Sequence, residues 1–175
     1  MPEVIRRPMP PWQTDGVPNF PHPVHWLTFD AMKGVLVCRA MKTEIADLLC
    51  FIVHANLVRT LCAPGGQVIC ASDNREKPSF GRRDRWCASC EERDGPCRLR
   101  WRIWVKEIES NALFAHTLSV TASANFARYG DRLREKGRLP SEVVTNVFVE
   151  PFRRKNSNLM FRRLQFAQVC ADEAT

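Results

Sequence analysis

The sharpest alternation of apolar and polar positions lies at residues 100–106. Trp101, Ile103 and Val105 fall on one side of an extended chain, and Arg100, Arg102, Trp104 and Lys106 on the other. That is the pattern of a half-buried strand with a basic, aromatic outer face. Regular structure is expected to begin near residues 26–29, and shorter apolar runs predict strands at 35–38 and 68–70. Residues 45–61 form an apolar run without a breaker that suits helix or strand; its β-branched and aromatic content favours strand. Another strand is expected over 113–121, then a helix over 123–136 with Phe126, Tyr129 and Leu133 on one face and Gly137 as its cap. The clearest hairpin pairs 143–149 with 159–169 around a basic, polar tip at 153–158, with Phe148 expected in the core beside Val144. The sum is a mainly β fold with a minor α part, about five or six strands and one helix.

Two segments break this pattern. Residues 1–25 read as a Pro-rich arm, because proline removes backbone donors and restrains the residue before it. Residues 71–99 are charged and without periodicity, which is long for a loop, so something other than an apolar core is expected to hold them. The domain is therefore drawn over 26–169, with 70–99 as an insertion and 170–175 as a tail.

The cysteines supply a candidate for that hold. Cys70, Cys87, Cys90 and Cys97 follow the spacing Cys-x16-Cys-x2-Cys-x6-Cys. A close Cys-x2-Cys pair lets two thiolates reach one zinc, and two distant ligands close the loop. Cys62 and, more remotely, His54 are alternative fourth ligands. Four thiolates would fill the shell and leave a structural site. A redox pair at Cys87 and Cys90 would want a βαβ context, which is lacking. Cys38, Cys50 and Cys170 sit in apolar segments and read as core.

Composition narrows the function. The chain has 175 residues, 45% of them hydrophobic, enough for one domain with a real core. Lys and Arg number 26 against 19 Asp and Glu, a formal charge of +7. The excess lies in two blocks, +5 over residues 75–106 and +6 over 128–163, which favours a polyanionic partner. No apolar run reaches membrane-spanning length and nothing near Met1 reads as a signal peptide. With eight cysteines, that points to reduced thiols or metal ligands in a cytoplasm, with no membrane partner.

Within the basic blocks, rings alternate with cations, as a single-strand binder requires. The candidates are Arg82, Arg83, Arg85 and Trp86 before Cys87; Arg100, Arg102 and Trp104 after Cys97; and Arg153, Arg154, Lys155, Phe161 and Arg162 around the hairpin. Trp104 is weighed between stacking on bases and packing under the loop, and Trp86 between stacking and covering the metal. Trp12, Trp26 and Phe29 lack a basic context and read as structural.

The run Cys70-x-Ser72-x-Asn74, then Cys87-Ala-Ser-Cys90, then Cys97 before the Arg/Trp strand resembles a group of phage and plasmid single-stranded-DNA-binding proteins. In those, a cysteine-ligated zinc loop is inserted into an oligonucleotide-binding (OB-like) module. The likeness runs from about residue 26 to 169 and implies an OB-like sheet or barrel with Cys70, Cys87, Cys90 and Cys97 as zinc ligands. Members tend to have a Gly-rich turn after the first cysteine, where this chain has Asp73-Asn74-Arg75-Glu76-Lys77.

The expectation is a non-catalytic, non-sequence-specific binder of single-stranded DNA in replication or recombination, in a bacterial or phage-infected cell. RNA in place of DNA and self-association stay open. The alternative is a zinc-containing interaction module that inhibits or recruits a nucleic-acid enzyme. A duplex-binding regulator using Arg128, Arg132 and Arg134 lacks a helix-turn-helix. No phosphate loop or dinucleotide fingerprint is present, and the four histidines form no local catalytic constellation.

Overall fold

A computed structural model describes residues 19–20, 23–63, 68–73, 75–81, 86–92, 95–153 and 160–169. The N-terminal arm, apart from a few residues, and the C-terminal tail lie outside them, as do Asn74, Arg82, Arg83, Arg85, Arg154 and Lys155. The strands are β1 (Val24–Asp30), β2 (Val35–Cys38), β3 (Thr43–Ile45), β4 (Asp47–Cys62), β5 (Val68–Ser72), β6 (Arg98–Glu107), β7 (Leu113–Thr117), β8 (Thr145–Arg153) and β9 (Met160–Gln168). One helix, α1 (Val120–Glu135), follows β7. The fold is mainly β, a single curled half-barrel sheet in the order β3-β2-β1-β7-β6-β4-β8-β9, with β5 also on β4.

Among the described residues nine strands stand where five or six were expected; β1 and β3 lie in segments that were not read as strands, and the longest strand is β4. It has 16 residues. Its start pairs with β8, its end with β5, and most of its length with β6. The short charged segment Thr43–Ile45, with no apolar pattern to announce it, adds the edge strand β3. An irregularity between Ile52 and His54 shifts the side-chain phase. Leu48, Cys50 and Ile52 face the core before it, and Ala55 after it.

Helix α1 begins earlier than the pattern predicted. Val120 and Thr121 are β-branched and read as strand, but the Ser119 side chain caps the helix by accepting from the Ala122 amide at 3.2 Å. At the other end Gly137 takes φ +66°, its amide donates to Arg134 O, and the Arg138 amide donates to Leu133 O. That closure satisfies two orphan carbonyls. The helix lays Phe126, Tyr129 and Leu133 on the core face of the sheet. Phe126 meets Trp101 edge-on at 5.5 Å and Phe166 at 5.2 Å. Tyr129 Oη and Thr145 Oγ1 share a buried hydrogen bond of 2.7 Å.

Cys38 and Cys50 are core residues as expected. Burial, then the Glu107 charge, pushes the Cys50 thiol up to about 12, so it stays protonated. Phe148 is not core: Thr145 and Val147 point inward on β8, which leaves Phe148 half-buried. Among the described residues no helix is long and apolar enough to cross a membrane.

Candidate nucleic-acid interface

Register across the sheet builds the site. Trp26 on β1 stands opposite Ala115 on β7, and Ala115 opposite Trp104 on β6. The next row holds Thr117, Arg102 and Asn56. Strand β7 stops at Thr117 while β1 runs on to pair with β2. Beyond that point no strand among the described residues lies between β1 and β6. A cleft of about 440 Å³ lies there, lined among others by Trp26, Phe29, Thr60, Arg100, Arg102 and His116. Ser119, the cap of α1, forms part of its wall.

Trp26 was read as structural, yet its ring is 53% exposed, with the Arg102 guanidinium 5.2 Å from its centroid. Sequence reasoning missed it because its basic neighbour comes from a strand 76 positions away, brought close only by pairing. Arg102 also pairs with Asp73 and donates to Thr117 Oγ1 at 3.1 Å. Asp73 thus offsets part of its charge. Arg100 has no acidic partner among the described residues, and its Nε is buried without a hydrogen bond.

Trp104 does the opposite. It shares the outer face of β6 as the alternation predicted, but at its position that face is covered, and the residue is 2% exposed. It packs edge-on against His54 at 4.8 Å. Of the two roles weighed for it, the buried ring fits packing, here on His54, and offers no face to a base. His54, in turn, packs on a ring and lies outside the cysteine pocket.

The cysteine loop folds back beside this cleft. Cys70, Cys87, Cys90 and Cys97 line one small pocket with Arg59, Leu61, Pro78 and Trp86. Cys62 does not line it. A 3-10 turn at Cys87–Ser89 carries the Cys-x2-Cys pair, with the Ser89 amide donating to Trp86 O at 3.2 Å. The Cys87 amide donates to Glu76 O at 2.7 Å and Ser72 Oγ to Lys77 O at 2.7 Å. Gly81 packs so tightly on β5 that a Cβ would sit 2.3 Å from Ile69 O, at φ +87°. Burial raises the Cys97 thiol, an Arg59 hydrogen bond opposes this, and Cys87 and Cys90 lie near enough to add to the rise. Four sulfurs in one pocket are a soft donor set of the kind zinc takes. Among the described residues, however, no three His, Cys, Asp or Glu side chains form a group placed to hold an ion.

Trp86 is 54% exposed, with Lys77 Nζ 4.2 Å from its ring centroid. Around the hairpin, Arg153 is exposed and Phe161 packs on Phe152 at 5.6 Å. Arg162 is spent on structure: its guanidinium donates to Ala31 O at 3.3 Å and to Met32 O, holding the turn after β1. Two residues along β9, Leu164 lines the cleft. Among the described residues no cation of the second basic block lines the cleft; Arg162 acts instead as a buttress of the neighbouring turn.

His116 is buried, and its Nδ1 lies 2.9 Å from Leu27 O. A carbonyl only accepts, so Nδ1 carries the proton. Burial lowers the pKa from 6.5, with the Leu27 bond opposing. The folded protein keeps the ring neutral while the unfolded chain protonates below about 6.5. This contribution to stability is complete above pH 6.5 and is lost as pH falls through 6.5 toward the folded-state value. Urea midpoints should drop on the acid side of that point. A midpoint flat through it, or a His116 ring resonance titrating near 6.5 in the folded protein, would contradict the assignment.

No protein-family model, no curated protein and no solved structure matches the chain.

Proposed function

We propose that the chain binds single-stranded DNA without reading its sequence, as a non-catalytic protein of replication or recombination in a bacterial or phage-infected cytoplasm. One observation carries this reading: an exposed tryptophan and two guanidinium groups share the cleft between β1 and β6. Rings that stack on any base and cations that follow phosphates are what a sequence-tolerant binder needs. We read the curled sheet as OB-like, with the strand entering at Trp26, Arg100 and Arg102 and continuing toward Arg153. Zinc on Cys70, Cys87, Cys90 and Cys97 is proposed as a structural staple, supported by the four cysteines lining one pocket.

A second reading has its own observation. Val68, Ile69, Phe80, Trp86 and Leu99 are exposed on the cysteine loop and the strands flanking it. That apolar surface suits docking on a protein, such as a nucleic-acid enzyme that the chain recruits or inhibits.

Fluorescence anisotropy with labelled oligo-dT, oligo-U and duplex DNA, at 50 and 200 mM salt, separates the two. Three neutralised phosphates on a single strand predict roughly a twentyfold loss of affinity across that range. Preference for oligo-dT over duplex with this salt dependence supports the first reading, and preference for oligo-U moves it to RNA. Equal or absent binding of both DNA probes overturns it in favour of protein docking.

A further inference from the structure

A second cleft lies on the far side of β1 from the first. Its volume is about 370 Å³, and Thr28, Asp30, Ala31, Val37 and Arg39 line it. Thr28 and Phe29 belong to both clefts, so β1 is the ridge between them. Pairing sets which side chains crown that ridge. Leu27 stands opposite Cys38, and both are in the core; Thr28 stands opposite Val37. Side chains alternate along a strand, so Trp26, Thr28 and Val37 share the other face. Arg39, the residue after Cys38, lines the cleft with Thr28 and Val37. This is the face on which the Arg102 guanidinium lies against Trp26.

The charges on this side of β1 are unequally committed. Asp30 turns its carboxylate back on the chain, accepting from the Met32 and Lys33 amides at 2.9 and 3.1 Å. Glu44 pairs with Lys33. Arg39 is exposed and has no acidic partner among the described residues. It lies outside both basic blocks, so the charge map of the sequence does not mark it. The turn at the end of this cleft is fixed from β9. Arg162 donates to Ala31 O and Met32 O. Gly34, at φ +74°, makes room for that side chain, since a Cβ there would meet Arg162 Cδ at 2.7 Å. Two residues before Arg162, Met160 pairs with Arg153. The turn therefore links the second cleft to the hairpin that carries Arg153.

We propose that a bound single strand crosses β1 at Thr28 and sets a phosphate on Arg39, so that the two clefts form one track from Arg102 past Trp26 to the β1–β2 turn. The proposal rests on the single-strand reading and deepens it by giving the strand a direction across the sheet. From β6 to β2 the track spans three interstrand spacings, about 14 Å. An exposed ring with a cation on each side of it along that line matches a stacked base and its flanking phosphates. Thr28, small and exposed, lets a backbone pass over the ridge.

Anisotropy titrations of labelled oligo-dT at 50 and 200 mM salt test the track with three variants. Arg39→Gln removes the new contact, and Thr28→Glu puts a carboxylate on the ridge. Arg138→Gln is the control: it removes one exposed charge beyond the end of α1, which packs on the other face of the sheet. All three side chains are exposed, so urea midpoints should stay near wild type. With Arg39 as one of three phosphate contacts, the loss of affinity across this salt range should shrink from roughly twentyfold to about sevenfold in Arg39→Gln. Thr28→Glu should bind at least about tenfold more weakly at 50 mM, through like-charge repulsion. Arg138→Gln should keep the wild-type salt dependence.

If the wild-type protein binds oligo-dT while Arg39→Gln and Thr28→Glu both behave as Arg138→Gln does, the track is overturned and the single-strand reading stands. A loss in Thr28→Glu alone confines the strand to the first cleft and overturns the role of Arg39. Absence of oligo-dT binding by the wild-type protein overturns the reading and the track together.

Discussion

Trp104→Ala is expected to cost about 3–5 kcal/mol of folding stability, the range for deleting a large buried ring. The ring sits on β6, hydrogen-bonded to β4 on one side and β7 on the other, and packs on His54. Truncation leaves a void on that face of the sheet beside His54, which the paired strands cannot close without shifting. Typical domains have only about 5–15 kcal/mol in all, so much of the population would unfold on mild heating. Trp26→Ala is the matched control, because that ring is exposed and loses chiefly its contact with Arg102. It should cost within about 1 kcal/mol. Urea midpoints for the two variants check the contrast. Equal losses would mean that Trp104 is not enclosed.

The same two tryptophans show what the sequence conveys and what it leaves hidden. Alternation along 100–106 correctly puts Trp101, Ile103 and Val105 on the core face, because period two is a property of the strand itself. It equally puts Trp104 with the arginines. Whether that second face meets water depends on what folds over it, which alternation in one strand does not encode. The Asp73 partner of Arg102 and the Asp73 carbonyl reached by Asn56 Nδ2 come from the segment after β5, and nothing in local pattern announces them. Trp26 failed in the reverse sense. Its surroundings in sequence are proline and apolar residues, and its basic companion arrives only through the parallel pairing of β1 with β7. His116 was equally illegible: a histidine in an apolar run becomes informative only when one nitrogen is known to be satisfied and the other is not. The cysteine cluster was readable because the spacing of a Cys-x2-Cys pair is local chemistry. The distant Cys70 was placed by the need to close a long loop, and it lines the same pocket. The helix was found but started three residues late, since capping by Ser119 outweighed the strand preference of Val120 and Thr121.

Removing the proposed metal is expected to melt the loop while leaving the sheet folded. The core around α1 is formed by strands and the helix, with Cys38 and Cys50 inside it and none of the four pocket cysteines among its members. The loop has little of this kind: its order rests on a few backbone bonds, the packing of Gly81 on β5 and the cysteine pocket. Structural zinc sites in small peptides bind with about 10–16 kcal/mol of apparent free energy, enough to order a segment that has no core. Protein purified without chelator should carry one zinc per chain. Cys87→Ser should carry none, and Cys38→Ala, a core change, should keep it. Trypsin should cut the metal-free form rapidly between residues 75 and 98, where the arginines are dense, and the far-ultraviolet circular dichroism of the sheet should change little. Oligo-dT affinity should fall several-fold with the metal, because Asp73 and Ala71, which border the cleft, lead directly into the loop. Metal-free protein that resists trypsin as well as the untreated form would remove zinc from the account. It would leave the loop's backbone bonds and the packing of Gly81 on β5 to hold it, and the cleft would then have to stand without a metal-held neighbour.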